Sequence, residues 1–287
     1  MTIVDAHVHL YRRASEEYPR VVLDVFPRDA EAPAEDLLEL MDSHGVDRAV
    51  VVALGPQHRY LGDCVRNWPD RFVGIGVVVA DDPAPSVTFR RLRDDIGVWG
   101  MRAQTLGPLA DNGALAKRTS ELLGTLERAA GPLWFYGGEA ELGSLDAAAT
   151  RFPGLSIALN HLAFFPSRLE VDEGGNRVID ITLPPPTIGR VAELARRHPN
   201  LFVVVSGQYA FSRQPYPHPD LGSTLAALLD AFGAERMLWG SDYPASGPAA
   251  RYGDLARLPG LAMPDLSEDQ RRAIMGGTAA RLIGLSR

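Results

Sequence analysis

Two histidines close the first apolar run of the chain, residues 3–10 (IVDAHVHL). The apolar and β-branched residues of this run predict a short strand. Because side chains two positions apart in a strand point to the same face, His7 and His9 should project together from its C-terminal end. Paired imidazoles are typical metal ligands or proton-transfer groups, although an isolated His-x-His is more often a surface pair.

A second stretch, far along the chain, has the same layout. Residues 236–244 (RMLWGSDYP) run from an apolar segment into Ser241 and Asp242. A chain that opens with strand-His-x-His and closes with strand-Gly-Ser-Asp has the layout of a parallel barrel whose functional side chains follow its strands. This match favours a functional role for the histidines.

Eight strand-like runs alternate with helical patterns along the chain. They cover residues 3–9, 48–54, 72–79, 98–104, 132–138, 155–161, 201–206 and 237–242. Such alternation predicts parallel pairing, and eight units close a barrel. We therefore predict an α/β fold, a (β/α)8 TIM barrel that forms a single domain over residues 1–287.

Other segments carry more local predictions. Residues 111–130 have the pattern of one long amphipathic helix, and residues 267–270 (SEDQ) form a capping box that should open the last helix. Residues 11–33 and 163–186 are irregular and are predicted to be loop insertions at the C-terminal face, where they shape the substrate pocket. A deletion within residues 172–177 should then alter substrate range more than stability.

The composition excludes several classes of protein. A net charge of −7 is opposite to the basic character of nucleic-acid-binding proteins. No apolar run reaches the length of about 18 residues that a membrane helix needs, and the first residues lack the pattern of a secretory signal. Cys64 is the only cysteine, so no internal disulfide can form, which is compatible with the cytoplasmic location that we expect.

Lysine chemistry is excluded as well. Lys117 is the only lysine, and it falls in a predicted helix away from the strand ends. A Schiff-base mechanism needs a lysine in the reacting pocket. The same argument excludes a carboxylated lysine that bridges two metal ions, so any metal site should be mononuclear.

Polar side chains collect at the predicted C-terminal ends of the strands. They are His7, His9, Arg102, Tyr136, His161, Ser206 and Asp242. Three histidines and a carboxylate suit one mononuclear metal site with room for water, and the carboxylate is suited to bind the metal, to take a proton from the water, or to do both. The alternatives are a hydrogen-bonded histidine pair inside the barrel and a buried carboxylate that caps the next loop.

The remaining candidates concern the substrate. Arg102 suits a substrate carboxylate or a developing oxyanion, with a structural ion pair as the alternative. Tyr136 and Ser206 are candidate substrate-binding groups, and the alternatives are barrel lining and a tight turn. Glu139 is a reserve ligand. The histidines away from the strand ends, interpreted as structural or surface residues, are His44, His58, His198 and His218.

These residues and their surroundings resemble the amidohydrolase superfamily, specifically its amidohydrolase-related branch, and within it the lactonase group that includes 2-pyrone-4,6-dicarboxylate hydrolase and sugar-acid lactonases. The matching stretches are residues 5–9 (DAHVH), 100–102 (GMR), 159–162 (LNHL), 205–207 (VSG), 238–244 (LWGSDYP) and 276–282 (GGTAARL). The resemblance covers essentially the whole chain. One departure is Asn160, which stands where this branch often has Asp before the histidine.

The resemblance implies roles for the matching residues. His7, His9 and His161 would be metal ligands or substrate-polarising groups, Asp242 the general base and possible fourth ligand, and Arg102 the group that holds the substrate carboxylate or carbonyl. The cofactor would be one divalent metal ion, with zinc favoured. Because some relatives in this lactonase group act without a metal, a metal-free mechanism stays open.

We therefore interpret the sequence as a cytoplasmic hydrolase that opens a lactone or similar cyclic ester of a small carboxylic acid by water attack. The alternatives are non-oxidative decarboxylation of an aromatic or unsaturated acid and a non-catalytic binding barrel. The expected partner is a small-molecule lactone or carboxylic acid, with neither nucleic acid nor membrane. A homo-oligomer is left open.

Overall fold

The computed structural model describes residues 2–23, 26–166, 169–171, 177–179, 182–245 and 251–284. The residues that a deletion within 172–177 would remove lie almost entirely outside these ranges, and the expectation about substrate range there stays a prediction.

Parallel strands form the centre of the molecule. In chain order the strands are β1 Val4–Val8, β2 Arg48–Val52, β3 Phe72–Val77, β4 Gly100–Ala103, β5 Leu133–Phe135, β6 Ile157–Leu159, β7 Leu169–Val171, β8 Arg177–Ile179, β9 Leu201–Val205 and β10 Met237–Trp239. Eight of them make one sheet in the order β1-β2-β3-β4-β5-β6-β9-β10, with every neighbouring pair parallel. The other two, β7 and β8, form a separate antiparallel pair within the second insertion.

The sheet closes where the chain beyond β10 meets the end of β1. The amide of Asp242 donates to the carbonyl of His7 at 2.9 Å, and the amide of His9 donates to the carbonyl of Tyr243 at 2.7 Å. Val8 and Tyr243 form a parallel bridge at the same point. These contacts complete the ring, so the predicted (β/α)8 barrel is confirmed.

Helices surround the barrel. They are α1 Ala34–His44, α2 Arg59–Asn67, α3 Pro85–Ile96, α4 Lys117–Arg128, α5 Leu142–Arg151, α6 Ile188–Arg197, α7 Gln208–Phe211, α8 Gly222–Phe232, α9 Tyr252–Ala262, α10 Glu268–Arg272 and α11 Thr278–Leu282. Across the described ranges, each helix is too short or too polar for a bilayer crossing.

Two helix predictions have different outcomes. The Ser267 capping box is confirmed, because its hydroxyl accepts from the amide of Gln270 and the Gln270 side chain accepts from the amide of Ser267. The single helix over residues 111–130 is wrong at its start, since α4 begins only at Lys117. Gly113 adopts a left-handed φ of 75° and donates to the carbonyl of Ala110, which forms a turn before the helix.

Two apolar layers hold the barrel together. The inner layer fills the barrel and draws residues from seven of its strands: Val4, Ala6, Val50, Val52, Ile75, Trp134, Ala158, Val204 and Leu238, with Ala279 of α11 against them. The outer layer lies between strands and helices and includes Val8, Val51 and Val205. Because the polar residues at the strand ends stand above the inner layer, this packing fixes the floor of the site.

Candidate active site

A β-bulge directs His7 and His9 into the barrel. Val4 and Ala6 belong to the inner layer, so strict alternation would turn His7 towards the helices. The register against β2 shifts between Asp5, which pairs with Ala49, and Val8, which pairs with Val51. The extra residue on β1 changes the alternation and brings both histidines onto the inner side, which is a known use of bulges at barrel rims.

The main chain of β2 orients the His9 ring. Its Nδ1 lies 2.7 Å from the carbonyl oxygen of Val52, so this nitrogen donates and the other, Nε2, keeps its lone pair. That Nε2 faces the Nε2 of His7 at 3.3 Å. A hydrogen bond that fixes the tautomer is the usual support of a metal-binding imidazole.

Asp242 completes a three-residue cluster with the two histidines. Its Oδ1 lies 3.6 Å from His7 Nε2 and 3.8 Å from His9 Nε2. Its backbone has a φ of 59°, a left-handed conformation that is uncommon for a residue other than glycine. The strained turn after β10 points the carboxylate back over the barrel, and strain of this kind is concentrated at functional sites.

The cluster fits a divalent ion. The candidate ligand atoms of His7, His9 and Asp242 all lie within 4.8 Å of one another. Bonds of about 2.0–2.2 Å at tetrahedral angles would separate neighbouring ligand atoms by about 3.3–3.6 Å, close to the observed spacings. The donor set of two imidazoles and one carboxylate suits zinc better than magnesium.

His161 lies beside this cluster and completes the predicted set of four. Its Nδ1 is 3.1 Å from the Ser206 hydroxyl and 3.9 Å from Asp242 Oδ2, and its ring is 4.9 Å from that of His7. A φ of 50° sets it in a left-handed turn after β6. The structure therefore brings all four residues together, with His161 outside the tight three-residue group.

The three predicted substrate-binding residues surround the same space. The ring of Tyr136 stands edge-on to His161 at 5.0 Å, and Ser206 is fully buried beneath that histidine. Arg102 is half-buried, and its Nε has no hydrogen-bond partner among the described residues. A guanidinium with unused donors beside a polar cluster is suited to an anionic or carbonyl oxygen.

Burial controls the charge of the site. Desolvation lowers the pKa of His9 to about 3 and lowers the pKa values of His7 and His161 well below the usual range, with the Arg102 charge acting in the same direction. Burial also raises the pKa of Asp242 to about 7, against the opposing effects of a Tyr209 hydrogen bond and Arg102. The imidazoles are therefore neutral, which is the form that binds metal.

Two residues of the site carry no role in the sequence-based prediction. Tyr209, on the short helix α7, donates from its hydroxyl to Asp242 Oδ2 at 2.7 Å. Asp5 is fully buried and accepts from the amide of Ser241 at 2.8 Å and from the Tyr252 hydroxyl at 3.0 Å. A signal for Asp5 was available, because a carboxylate within an apolar strand needs partners.

Gly240 makes room for His7. A Cβ at this position would lie 2.9 Å from the Cβ of His7 and 3.2 Å from its amide nitrogen. The Gly-Ser-Asp stretch therefore contributes more than its carboxylate, since the glycine allows β1 and β10 to approach at the site.

The remaining candidates lie elsewhere. The His58 ring accepts from the amide of Val77 at 2.9 Å, His198 lies 2.7 Å from Asp146, and His44 and His218 each contact a main-chain carbonyl four residues earlier. Glu139 pairs with Arg190 at 3.2 Å. These side chains make structural or surface contacts in the described part of the chain.

A sequence model of the amidohydrolase family matches residues 4–285, and the chain belongs to this family. The chain is 30% identical over 303 residues to an L-fucono-1,5-lactonase of Burkholderia ambifaria, with 99% of this chain and 96% of the relative covered. It is 25% identical over 298 residues to a 4-sulfomuconolactone hydrolase of Hydrogenophaga intermedia, with 98% and 88% covered.

Solved structures agree with the fold. An amidohydrolase of Burkholderia multivorans with bound zinc superposes with a TM-score of 0.74 at 23% identity, covering 99% of both chains. A Pseudomonas putida protein assigned as a 2-pyrone-4,6-dicarboxylic acid hydrolase gives a TM-score of 0.73 at 24% identity, covering 100% of this chain and 98% of the other. The resemblance read from the sequence motifs is thus confirmed.

Proposed function

We propose that this amidohydrolase opens a lactone, or a similar cyclic ester of a small carboxylic acid, by attack of water. The observation that carries this proposal is the position of the Asp242 carboxylate, which faces two neutral imidazoles at the barrel mouth. The two relatives named above, a lactonase and a lactone hydrolase, support the same reaction class.

We assign the metal site to His7, His9, His161 and Asp242, holding one divalent ion, with zinc as the expected metal. The spacing of the His7, His9 and Asp242 ligand atoms and the zinc-bound structural neighbour support this choice, and His161 lies beside these three. When bound, such an ion lowers the pKa of water and polarises a carbonyl group.

The side chains of the protein divide the remaining work. Tyr209 holds Asp242 Oδ2, and the Asp242 carboxylate takes the proton from the attacking water and later returns it to the leaving alkoxide. Arg102 holds the carbonyl or carboxylate oxygen of the substrate. Tyr136 and Ser206, on either side of His161, are assigned to substrate contacts.

Three further assignments concern the domain organisation, the cellular location and the partner. We propose that residues 1–287 work as one domain, since the two ends of the sheet are joined at the site. We propose a cytoplasmic location, which the single cysteine supports. A small lactone or carboxylic acid is the proposed partner, and self-association is left to measurement.

The test is a screen of lactones and aromatic acids, with and without added divalent metal, followed by turnover in ¹⁸O-labelled water. Hydrolysis puts the label into the new carboxylate and releases no carbon dioxide. Release of carbon dioxide with uptake of a solvent proton at carbon would establish the decarboxylase alternative instead. Tight binding of a lactone without turnover would indicate a binding barrel.

A further inference from the structure

A cavity of about 380 Å³ opens beside Arg102, over the C-terminal ends of β2, β3 and β4. Its volume lies within the range of about 300–1,000 Å³ that small-molecule sites have. The described residues that line it are Val21, Leu23, Leu54, Gly55, Pro56, Val77, Val78, Val79, Ala80, Arg102, Gln104 and Thr105. We call it the Arg102 cavity.

The walls of the Arg102 cavity are mainly apolar and partly exposed. Val21, Leu23, Leu54, Val77 and Val79 are all half-buried, although each has an apolar side chain that could have been packed away. Apolar side chains that converge on an open space, with a few polar groups among them, are typical of a ligand pocket.

The first insertion supplies one wall and is held firmly in place. The Arg20 guanidinium donates to main-chain carbonyls on both sides of it, including Arg12 at 3.1 Å and Phe26 at 2.8 Å. Val21 packs closely on Gly55, because a Cβ added at position 55 would overlap a methyl group of Val21. These contacts fix the position of the wall.

The same insertion connects the cavity to the candidate active site. Leu23 and Phe26 exchange main-chain hydrogen bonds of 3.3 and 2.9 Å, and the Phe26 ring packs on the His9 ring at 5.9 Å. On the other side, Arg102 both lines the cavity and acts electrostatically on His9 and Asp242. If a substrate reacts at the His7, His9 and Asp242 cluster, the part of it next to the reacting group would thus lie in the Arg102 cavity.

The charge of the lining restricts what can bind. Among the described residues that line the cavity, Arg102 is the one charged side chain. The Thr105 hydroxyl is engaged, since it donates to Glu141 at 2.7 Å and accepts from the amide of Gly107 at 2.9 Å. Gln104 is the other polar side chain there. A second anionic group, or a ring rich in hydroxyls, would lose its hydrogen bonds to water against valine and leucine, and the cavity offers too few polar groups to replace them.

We infer that the substrate is a lactone with at most one anionic group and an apolar substituent that occupies the Arg102 cavity. This inference rests on the proposed function, and it names the substrate class. Arg102 holds the oxygen-bearing end of the substrate near the cluster, and the substituent extends over Val77 and Val79 towards Val21.

The test measures kcat/KM for δ-lactones that carry alkyl substituents of increasing length, beside a hydroxylated sugar lactone and a lactone dicarboxylate. Each buried CH₂ should raise kcat/KM by about three- to fourfold until the cavity is full. The sugar lactone and the dicarboxylate should be the poorest substrates of the set.

Two variants connect the trend to the cavity. Val21→Asp should remove most of the gain with chain length, because it puts a charge in the apolar wall. The matched control is Val22→Asp, next to it in the same loop but 44% exposed and outside the lining, and this control should keep the wild-type trend. Val79→Thr keeps the shape of the side chain but adds a hydroxyl to the apolar wall, so it should reduce the gain in kcat/KM per CH₂. This variant tests the cavity even if Val21→Asp fails to fold.

The outcomes separate the two proposals. If lactones are hydrolysed but kcat/KM is flat or falls with chain length, or the sugar lactone or the dicarboxylate is preferred, the inference about the substituent is overturned and the proposed function stands. If none of the lactones is hydrolysed, the proposed function fails first. An equal loss of the trend in Val22→Asp would also overturn the assignment of the cavity.

Discussion

Tyr209 holds the carboxylate of Asp242 by a hydrogen bond of 2.7 Å from its hydroxyl to Oδ2. The phenol comes from α7, which follows Gly207, a residue in the left-handed conformation with a φ of 71°. This bond lowers the pKa of Asp242 and so opposes the rise that burial causes. Tyr209 thereby favours the ionised form of the proposed base and orients its carboxylate.

Replacing this phenol tests that role. Tyr209→Phe should reduce kcat by about 10- to 100-fold, the usual value of a hydrogen bond to a charged group. Since the bond lowers the pKa of Asp242, its loss raises that pKa, and the acid limb of the kcat–pH profile should move to higher pH. Tyr216→Phe, at a 39% exposed position, is the control and should leave the profile in place. An unmoved limb in Tyr209→Phe would refute the role.

Replacing Asp242, the proposed base, should lower kcat more than replacing Tyr209. Asp242→Asn keeps the volume but removes the proton acceptor, so kcat should fall by about 10²–10⁴-fold or more. Asp230→Asn, at a 73% exposed side chain, controls for the loss of a carboxylate. If Asp242→Asn hydrolyses the screened lactone at nearly the wild-type rate, one of the histidines must be the base.

Arg102 should affect substrate binding more than chemistry. Arg102→Met removes a guanidinium that contacts the substrate alike in the ground and transition states, and this raises KM with little change in kcat. Steady-state kinetics over a wide substrate range separate the two constants. A fall in kcat with unchanged KM would show that the arginine acts on the transition state instead.

Removal of the metal distinguishes the two mechanisms left open by the sequence. Protein purified without chelators should contain close to one zinc ion per chain by elemental analysis, and exhaustive chelation should abolish turnover until zinc is restored. His9→Ala should lower the zinc content, because it removes an imidazole that Val52 orients. Full activity in metal-free protein would favour the metal-independent mechanism.

The close approach at Gly240 predicts a stability effect. Gly240→Ala would place a methyl group 2.9 Å from the Cβ of His7, and overpacking of this kind costs about 1–3 kcal/mol. Thermal unfolding should show a lower Tm together with weaker zinc binding. Gly189→Ala, in α6 with no atom near the added methyl, is the control and should be neutral or stabilising. Equal Tm values for the two variants would contradict the steric argument.

The sequence predicts the barrel and the four clustered residues for a simple reason. Apolar alternation locates the strands, and parallel strands deliver their ends to one face, so His7, His161 and Asp242 could be placed together without coordinates. The bulge in β1 could not be foreseen, because it depends on the register against β2. Strict alternation from Val4 would have pointed both histidines at the helices.

The sequence-based prediction missed the role of Tyr209 and the start of helix α4 for different reasons. Tyr209 lies on the four-residue helix α7, and its reach to Asp242 follows from the left-handed turn at Gly207 and the neighbouring strand. Residues 111–116 (DNGALA) contain an Asn-Gly pair, which marks turns, and the turn at Gly113 forms there, so the later start of α4 could have been predicted. Only at Tyr209 does the position of the side chain depend on contacts that sequence patterns do not encode.

The hydrogen bond between Asp5 and the amide of Ser241 joins positions 236 residues apart. On the ribosome, the histidines emerge long before Asp242 is translated, so a partly synthesised chain has the imidazoles of the site without the carboxylate. Contacts at such separation form late, because the loop between them must close first. Turnover and metal retention should therefore report on completion of the barrel, and a chain truncated before β10 should be inert however well its earlier strands have folded.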